Sequence, residues 1–323
     1  MKTKIVSLCG ALLALLIVAG PLRAHELNPT APPVRLVVFG DSLSDPGNYF
    51  AAYRQVSLAP YAPIPDAPYA IGGHHYSNGA TWVEQLARDL HADDSAGPAL
   101  RDPGESSNYA FGRARARAGA EVFPYYDLTT QVGLYLSRTG NHASSNALYV
   151  VWIGANDFKD ALGSLTVDPS FATAVGIIQQ AVGTTAANVQ ALWAAGARRF
   201  LIVDMPDLGV TPYIIGLGPV AQYVAGQLTN VYNGGLGQAE AALGVLPGIQ
   251  ITRFDVNATL DAAAAAPAAS GIGDFYTPCL TFGVVERAVC GHPEQFLFWD
   301  AIHPTRAGHK LIAAGALATL SAH

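Results

Sequence analysis

Two clusters of residues in this chain have types and spacing that could do nucleophilic chemistry: Gly40-Asp41-Ser42-Leu43, and Asp300-Ala301-Ile302-His303. A turn with a carboxylate three residues ahead of an imidazole lets the carboxylate reach one ring nitrogen while the other faces a cleft. A serine hydroxyl is a weak nucleophile until a neutral imidazole takes its proton, and the carboxylate then stabilises the imidazolium. The combination predicts acyl transfer, with ester hydrolysis first. By itself, Asp-x-x-His also fits an ordinary surface turn.

The surrounding elements must position these groups. Val34 to Phe39 is a short apolar, β-branched run that stops at Gly40, as a buried strand does before a turn. Ser42 then sits just beyond a strand's carboxyl end. Ala147 to Ile153, Arg199 to Val203 and Gly248 to Phe254 read as further strands. Helical stretches lie between and after them, at Phe171 to Ala197, Val220 to Leu246, and from the N-cap Thr305 to about Leu320. The alternation predicts an α/β chain with a mostly parallel sheet between two helical layers. Residues 51–130, crowded with Pro and Gly, break the rhythm and read as a long irregular region. The alanine-rich stretch Ala262 to Ala268 fits either a linker or a short surface helix.

The serine segment is not the Gly-x-Ser-x-Gly elbow, because Ser44 stands where the second glycine belongs. Instead, Phe39-Gly40-Asp41-Ser42-Leu43-Ser44-Asp45 resembles the first block of the GDSL, or SGNH, hydrolases. Asn108-Tyr109-Ala110-Phe111-Gly112, Gly154-Ala155-Asn156-Asp157 and Asp300 to His303 follow in that family's order, so the resemblance spans nearly the whole chain after Val34. Tyr76-Ser77-Asn78-Gly79 with Trp82, and Phe298-Trp299-Asp300, are similar to the extracellular bacterial phospholipase, lecithinase and hemolysin branch.

The resemblance implies a three-layer, flavodoxin-like fold with Ser42 as nucleophile, His303 as general base and acid, and Asp300 orienting the imidazole. It implies an oxyanion hole built from the amides of Ser42 and Gly112 and the side chain of Asn156; a plain turn is the alternative for Gly112. It also implies an ester substrate, phospholipid or lysophospholipid first, with no metal or organic cofactor. Acyl transfer to another alcohol and deacetylation of glycans use the same residues, and a noncatalytic lipid- or carbohydrate-binding protein is the remaining alternative. Many relatives carry a second small residue after the glycine, whereas this chain has Arg113. In an extended segment Arg113, Arg115 and Arg117 point one way, toward either an anionic head group or solvent. Asp41 and Asp157 are expected to hold their loops by accepting backbone amides.

Lys2 and Lys4, an apolar stretch from Ile5 to Gly20 and a small residue at Ala24 read as a signal peptide over residues 1–24, ahead of one catalytic domain over 25–323. Its removal carries off Lys2, Lys4, Arg23 and Cys9 and no acidic residue, so the exported chain is more acidic than the full-length net charge of -6. Such a charge disfavours nucleic acid as a partner and leaves transient contact with a membrane surface open. Export also predicts a disulfide between the two remaining cysteines, Cys279 and Cys290, with two free thiols as the alternative. Periplasmic and extracellular locations both fit, and no oligomeric state follows from the sequence.

Overall fold

The strands expected from their apolar runs form β1 (Leu36–Gly40), β2 (Leu148–Trp152), β3 (Arg199–Val203) and β4 (Gln250–Phe254). The structure is a computed structural model and describes residues 35–55, 59–62, 74–118 and 126–322. The signal-peptide expectation for residues 1–24 lies outside them. Pro33–His323 cluster as one unit.

The strands are all parallel and pair in the order β1-β2-β3-β4. β1 and β2 are buried along their whole length, which is why their sequences are continuously apolar rather than alternating. Successive residues still divide between two cores. Val37, Phe39, Tyr149, Val151, Phe200 and Ile202 face one, while Leu36, Val38, Leu148, Val150, Leu201 and Val203 face the other. That period of two forces helical cover on both faces.

The helices supply it. In chain order they are α1 (Asn48–Tyr53), α2 (Trp82–Asp89), α3 (Asp93–Ala96), α4 (Leu128–Arg138), α5 (Ala155–Ser164), α6 (Ala172–Ala194), α7 (Pro212–Leu217), α8 (Pro219–Leu243), α9 (Val256–Ala265), α10 (Pro267–Ser270) and α11 (Arg306–Ser321). Core residues of α4, α5, α6 and α8 cover the first face; those of α2, α9 and α11 cover the second. The Thr305 side chain accepts the Gly308 amide, as the expected N-cap of α11 should. The alanine-rich stretch is helical, in α9 and α10.

Residues 51–130 are less irregular than their Pro and Gly content predicts, since they contain α2 and α3 among the described residues. A capping box at Thr81 and Glu84 starts α2, a local signal that the proline count obscured. Farther along, residues 107–111 run beside β1: the Ser107 carbonyl accepts from Val38, Tyr109 donates to Val38, and Phe111 donates to Gly40. Counted as a strand, this segment gives the order 2-1-3-4-5 of flavodoxin-like sheets. It also delivers Gly112 and Arg113 to the carboxyl end of β1.

A separate pair, β5 (Asp274–Pro278) and β6 (Phe296–Phe298), precedes the histidine turn. Cys279 and Cys290 are joined as a disulfide in the structure. Among the described residues no helix is long and apolar enough to cross a membrane.

Candidate active site

The loops after β1, β2 and β6 meet at one end of the sheet. Ser42 Oγ lies 2.8 Å from His303 Nε2, and His303 Nδ1 lies 2.7 Å from Asp300 Oδ2. The second oxygen of Asp300, Oδ1, accepts the amides of Ile302 and His303, both at 2.7 Å. Burial works to raise the Asp300 pKa, but the His303 charge and these hydrogen bonds outweigh it and hold the carboxyl below its ordinary value. An ionised Asp300 fixes the proton of neutral His303 on Nδ1, leaving Nε2 to accept from the serine.

Gly154 has φ 124, a conformation that side chains rarely adopt, and an added Cβ would lie 2.9 Å from Met205 and Tyr232. The turn it permits starts α5 with Asn156 beside Ser42. Asn156 Nδ2 donates to the Ala114 carbonyl at 2.9 Å, which orients the amide and leaves its second N–H for another acceptor. Ser42, Asn156, Asp300 and His303 all line one cavity of about 330 Å³, with Arg113 and Lys159 among the polar residues around it.

Gly112 departs from its expected role. Its amide donates to Asp45 Oδ2 at 2.7 Å, and the residue does not line the cavity. The glycine is required for packing instead, because a Cβ there would sit 2.4 Å from the Tyr76 ring. Arg113, with φ 68, is the residue of this turn that reaches the cavity.

That same turn breaks the shared direction expected for the three arginines. Arg115 is buried and donates to both carboxylate oxygens of Asp160 from one guanidinium edge, Nε at 2.7 Å and Nη2 at 2.9 Å. Arg117 pairs with Asp160 and lies 3.1 Å from Asp157. Neither forms a solvated face or greets a ligand; they hold α5. The expected loop-holding roles do appear: Asp41 accepts the Leu43 amide at 3.1 Å and Asp157 the Ala116 amide at 2.8 Å. Burial pushes the pKa of Asp41 up to about 6 and of Asp157 up to about 7, against these hydrogen bonds.

Several supports went unread in the sequence. Asp45 accepts the amides of Gly47, Asn48, Tyr49 and Gly112, so one buried carboxylate ties the nucleophile loop to the Arg113 turn. Its place two residues before a glycine, at the start of α1, is an Asx-turn signal that could have found it. Gln131 on α4 accepts from Gly40 N–H at 2.9 Å and donates to its carbonyl at 2.8 Å, with no local motif to announce it. Ser77 donates to the Pro304 carbonyl at 2.8 Å and Asn78 accepts the Arg306 amide at 2.6 Å, so the Tyr76 to Gly79 block holds the histidine turn from behind. The half-buried Tyr126 packs against Phe111, with ring centroids 4.6 Å apart and the planes tilted by 47°.

The chain is similar to the thermolabile hemolysin of Vibrio parahaemolyticus, 26% identical over 293 residues that cover 86% of this chain and 62% of the relative. It is also similar to esterase EstA of Pseudomonas aeruginosa, 29% identical over 357 residues, covering 96% of this chain and 50% of that one. This chain therefore spans about half to under two thirds of these relatives' length. Among solved structures, phospholipase A1 of Streptomyces albidoflavus aligns at a TM-score of 0.43 and 14% identity, over 90% of this chain and 99% of that one. The profile of the GDSL-like lipase/acylhydrolase family matches residues 36–316, and the chain belongs to that family.

Proposed function

We propose that this chain is an exported serine hydrolase of carboxylic esters, acting on lipid acyl esters through an acyl-Ser42 intermediate. The observation that carries the reading is the relay from Ser42 Oγ to His303 Nε2 and from His303 Nδ1 to Asp300, formed in one cavity with Asn156. As Ser42 Oγ attacks the ester carbonyl, its proton passes to His303 Nε2, and Asp300 stabilises the imidazolium. Negative charge collects on the carbonyl oxygen. The Ser42 amide, the second N–H of Asn156 and the peptide N–H of Arg113 are the proposed donors to it, each worth about 100- to 1000-fold in rate.

Collapse of the tetrahedral species breaks the ester C–O bond, and His303 returns the proton to the leaving alcohol. Water then attacks the acyl-enzyme with His303 as base, releasing the acid and restoring Ser42. The residues needed are all in this chain. Among the described residues no cluster of His, Cys, Asp and Glu has the arrangement of a metal site.

A lipid ester is supported by the apolar walls of the cavity, which include Phe158, Leu162 and Ile214. Arg113 and Lys159, cations in the lining of the same cavity, suit an anionic head group and support phospholipid or lysophospholipid as the first candidates. Export is supported by the charged and then apolar residues 1–24 and by the disulfide. Incubation of the purified protein with an organophosphonate ester probe tests the nucleophile: the wild type should be labelled and Ser42→Ala should not. Labelling of the folded variant at another residue refutes the reading.

A further inference from the structure

Beside the site cavity lies a second, smaller recess of about 90 Å³, walled by Trp152, Leu260, Ala264, Phe275, Leu297 and Phe298. Its lining is almost wholly carbon; Asp207, one of the few polar residues there, uses its carboxylate to accept the Gly209 amide at 2.8 Å. Leu43, Ala155, Leu208, Thr211 and Ile302 line both spaces, so the partition between them is one residue thick.

The position of that partition matters for an acyl group. Leu43 follows the nucleophile, and Ala155 precedes Asn156. A carbonyl carbon bonded to Ser42 Oγ, with its oxygen toward Asn156 and its leaving oxygen toward His303 Nε2, has one substituent left, the acyl chain. Leu43 and Ala155, the neighbours of Ser42 and Asn156, line both spaces, so the recess lies within reach of that chain. Arg113 and Lys159 line the site cavity but not the recess and are exposed, which gives the leaving alcohol an open route to solvent on their side.

We propose that this recess is the acyl-chain subsite, which makes medium-chain fatty acyl esters, rather than acetyl esters, the substrates of the site. The proposal rests on the hydrolase reading above. An apolar cavity of about 150 Å³ holds a benzene molecule, so one of this size takes roughly the last three or four carbons of a chain. Each methylene moved from water into it raises kcat/KM about fourfold. The summed preference of octanoate over acetate is then at least about 60-fold, three methylenes at about fourfold each.

The test compares p-nitrophenyl acetate and octanoate with wild type, Ala264→Phe, which fills the recess, and Phe275→Leu, which enlarges it. The ratio of kcat/KM for octanoate over acetate should fall at least tenfold in Ala264→Phe, and the optimum should move to longer chains in Phe275→Leu. An unchanged ratio in both variants overturns the proposal. So does a wild type that prefers acetate, or a filled variant that discriminates octyl from methyl alcohol groups on an acetate instead of acyl lengths. Calorimetric binding of octanoate to Ser42→Ala, with and without Ala264→Phe, keeps the two readings separable. If no ester is turned over but octanoate binds and Ala264→Phe abolishes that binding, the hydrolase reading falls and the recess stands; octanoate binding indifferent to Ala264 removes the recess.

Discussion

The carboxylate of Asp45 accepts the Gly112 amide at 2.7 Å across 67 residues of sequence, joining the loop that carries Ser42 to the turn that carries Arg113. Three more amides, of Gly47, Asn48 and Tyr49, converge on the same buried group. Removing the acceptor leaves buried donors unpaired, each costing about 1–3 kcal/mol.

Asp45→Ala should therefore lower the unfolding free energy by about 3 kcal/mol or more in denaturant titration. Where folded protein remains, kcat should fall with little change in KM, because the joint positions a turn beside the developing anion and does not bind the substrate's remote parts. A stability loss without any kcat effect would mean that the joint does not position the site.

Asn156→Ala should reduce kcat about 100- to 1000-fold while KM moves little, the signature of a donor whose hydrogen bond strengthens only in the transition state. Steady-state kinetics on a soluble p-nitrophenyl ester reads this. An effect confined to KM would move Asn156 from anion stabilisation to substrate binding.

The disulfide backs the histidine turn. Cys279 N–H donates to Phe298 at 3.1 Å, Leu280 N–H donates to Trp299 at 2.5 Å, and Trp299 N–H donates to His303 at 2.7 Å. The crosslink closes a loop of sequence separation 11, for which constraint of the unfolded chain contributes about 2–3 kcal/mol. Cys279→Ser with Cys290→Ser should show that loss and a lower kcat; unchanged thermal midpoints with and without reductant would contradict it.

His309 on α11 is buried and its Nδ1 has no hydrogen-bond partner. Burial, with the charges of His303 and His75 adding to it, pushes its pKa from 6.5 down to about 3. The unfolded chain takes up a proton there near 6.5 and the folded chain does not until about 3, so this contribution is full above 6.5 and is lost as pH falls through that window. His309→Met should lose stability less steeply than wild type between these limits, by up to about 1.4 kcal/mol per pH unit. Parallel stability profiles for the two proteins would show that His309 does not titrate in this way.

The residues of the proposed relay and of its anion site were legible in the sequence because each sits in a short local pattern. Ser42 ends an apolar strand, Asn156 follows a glycine that permits its turn, and Asp300 reaches His303 across three positions. Strand and helix alternation gave the layers, since the periods of apolar residues are themselves local consequences of backbone geometry. α2 is only eight residues long and lies between proline- and glycine-rich segments, so its capping box at Thr81 and Glu84 is the one local signal that marks it.

What tertiary structure decided is which partner each polar group takes. Gly112 lies in the right block, yet its amide is claimed by Asp45, a choice made by a contact distant in sequence. Arg113, Arg115 and Arg117 alternate in the chain, but one left-handed residue redirects them, and Asp157 and Asp160 capture two. Gln131 carries no motif and still brackets Gly40. Local spacing fixes which groups can act, while hydrogen bonds between distant segments depend on which loops the folded sheet brings to the same end.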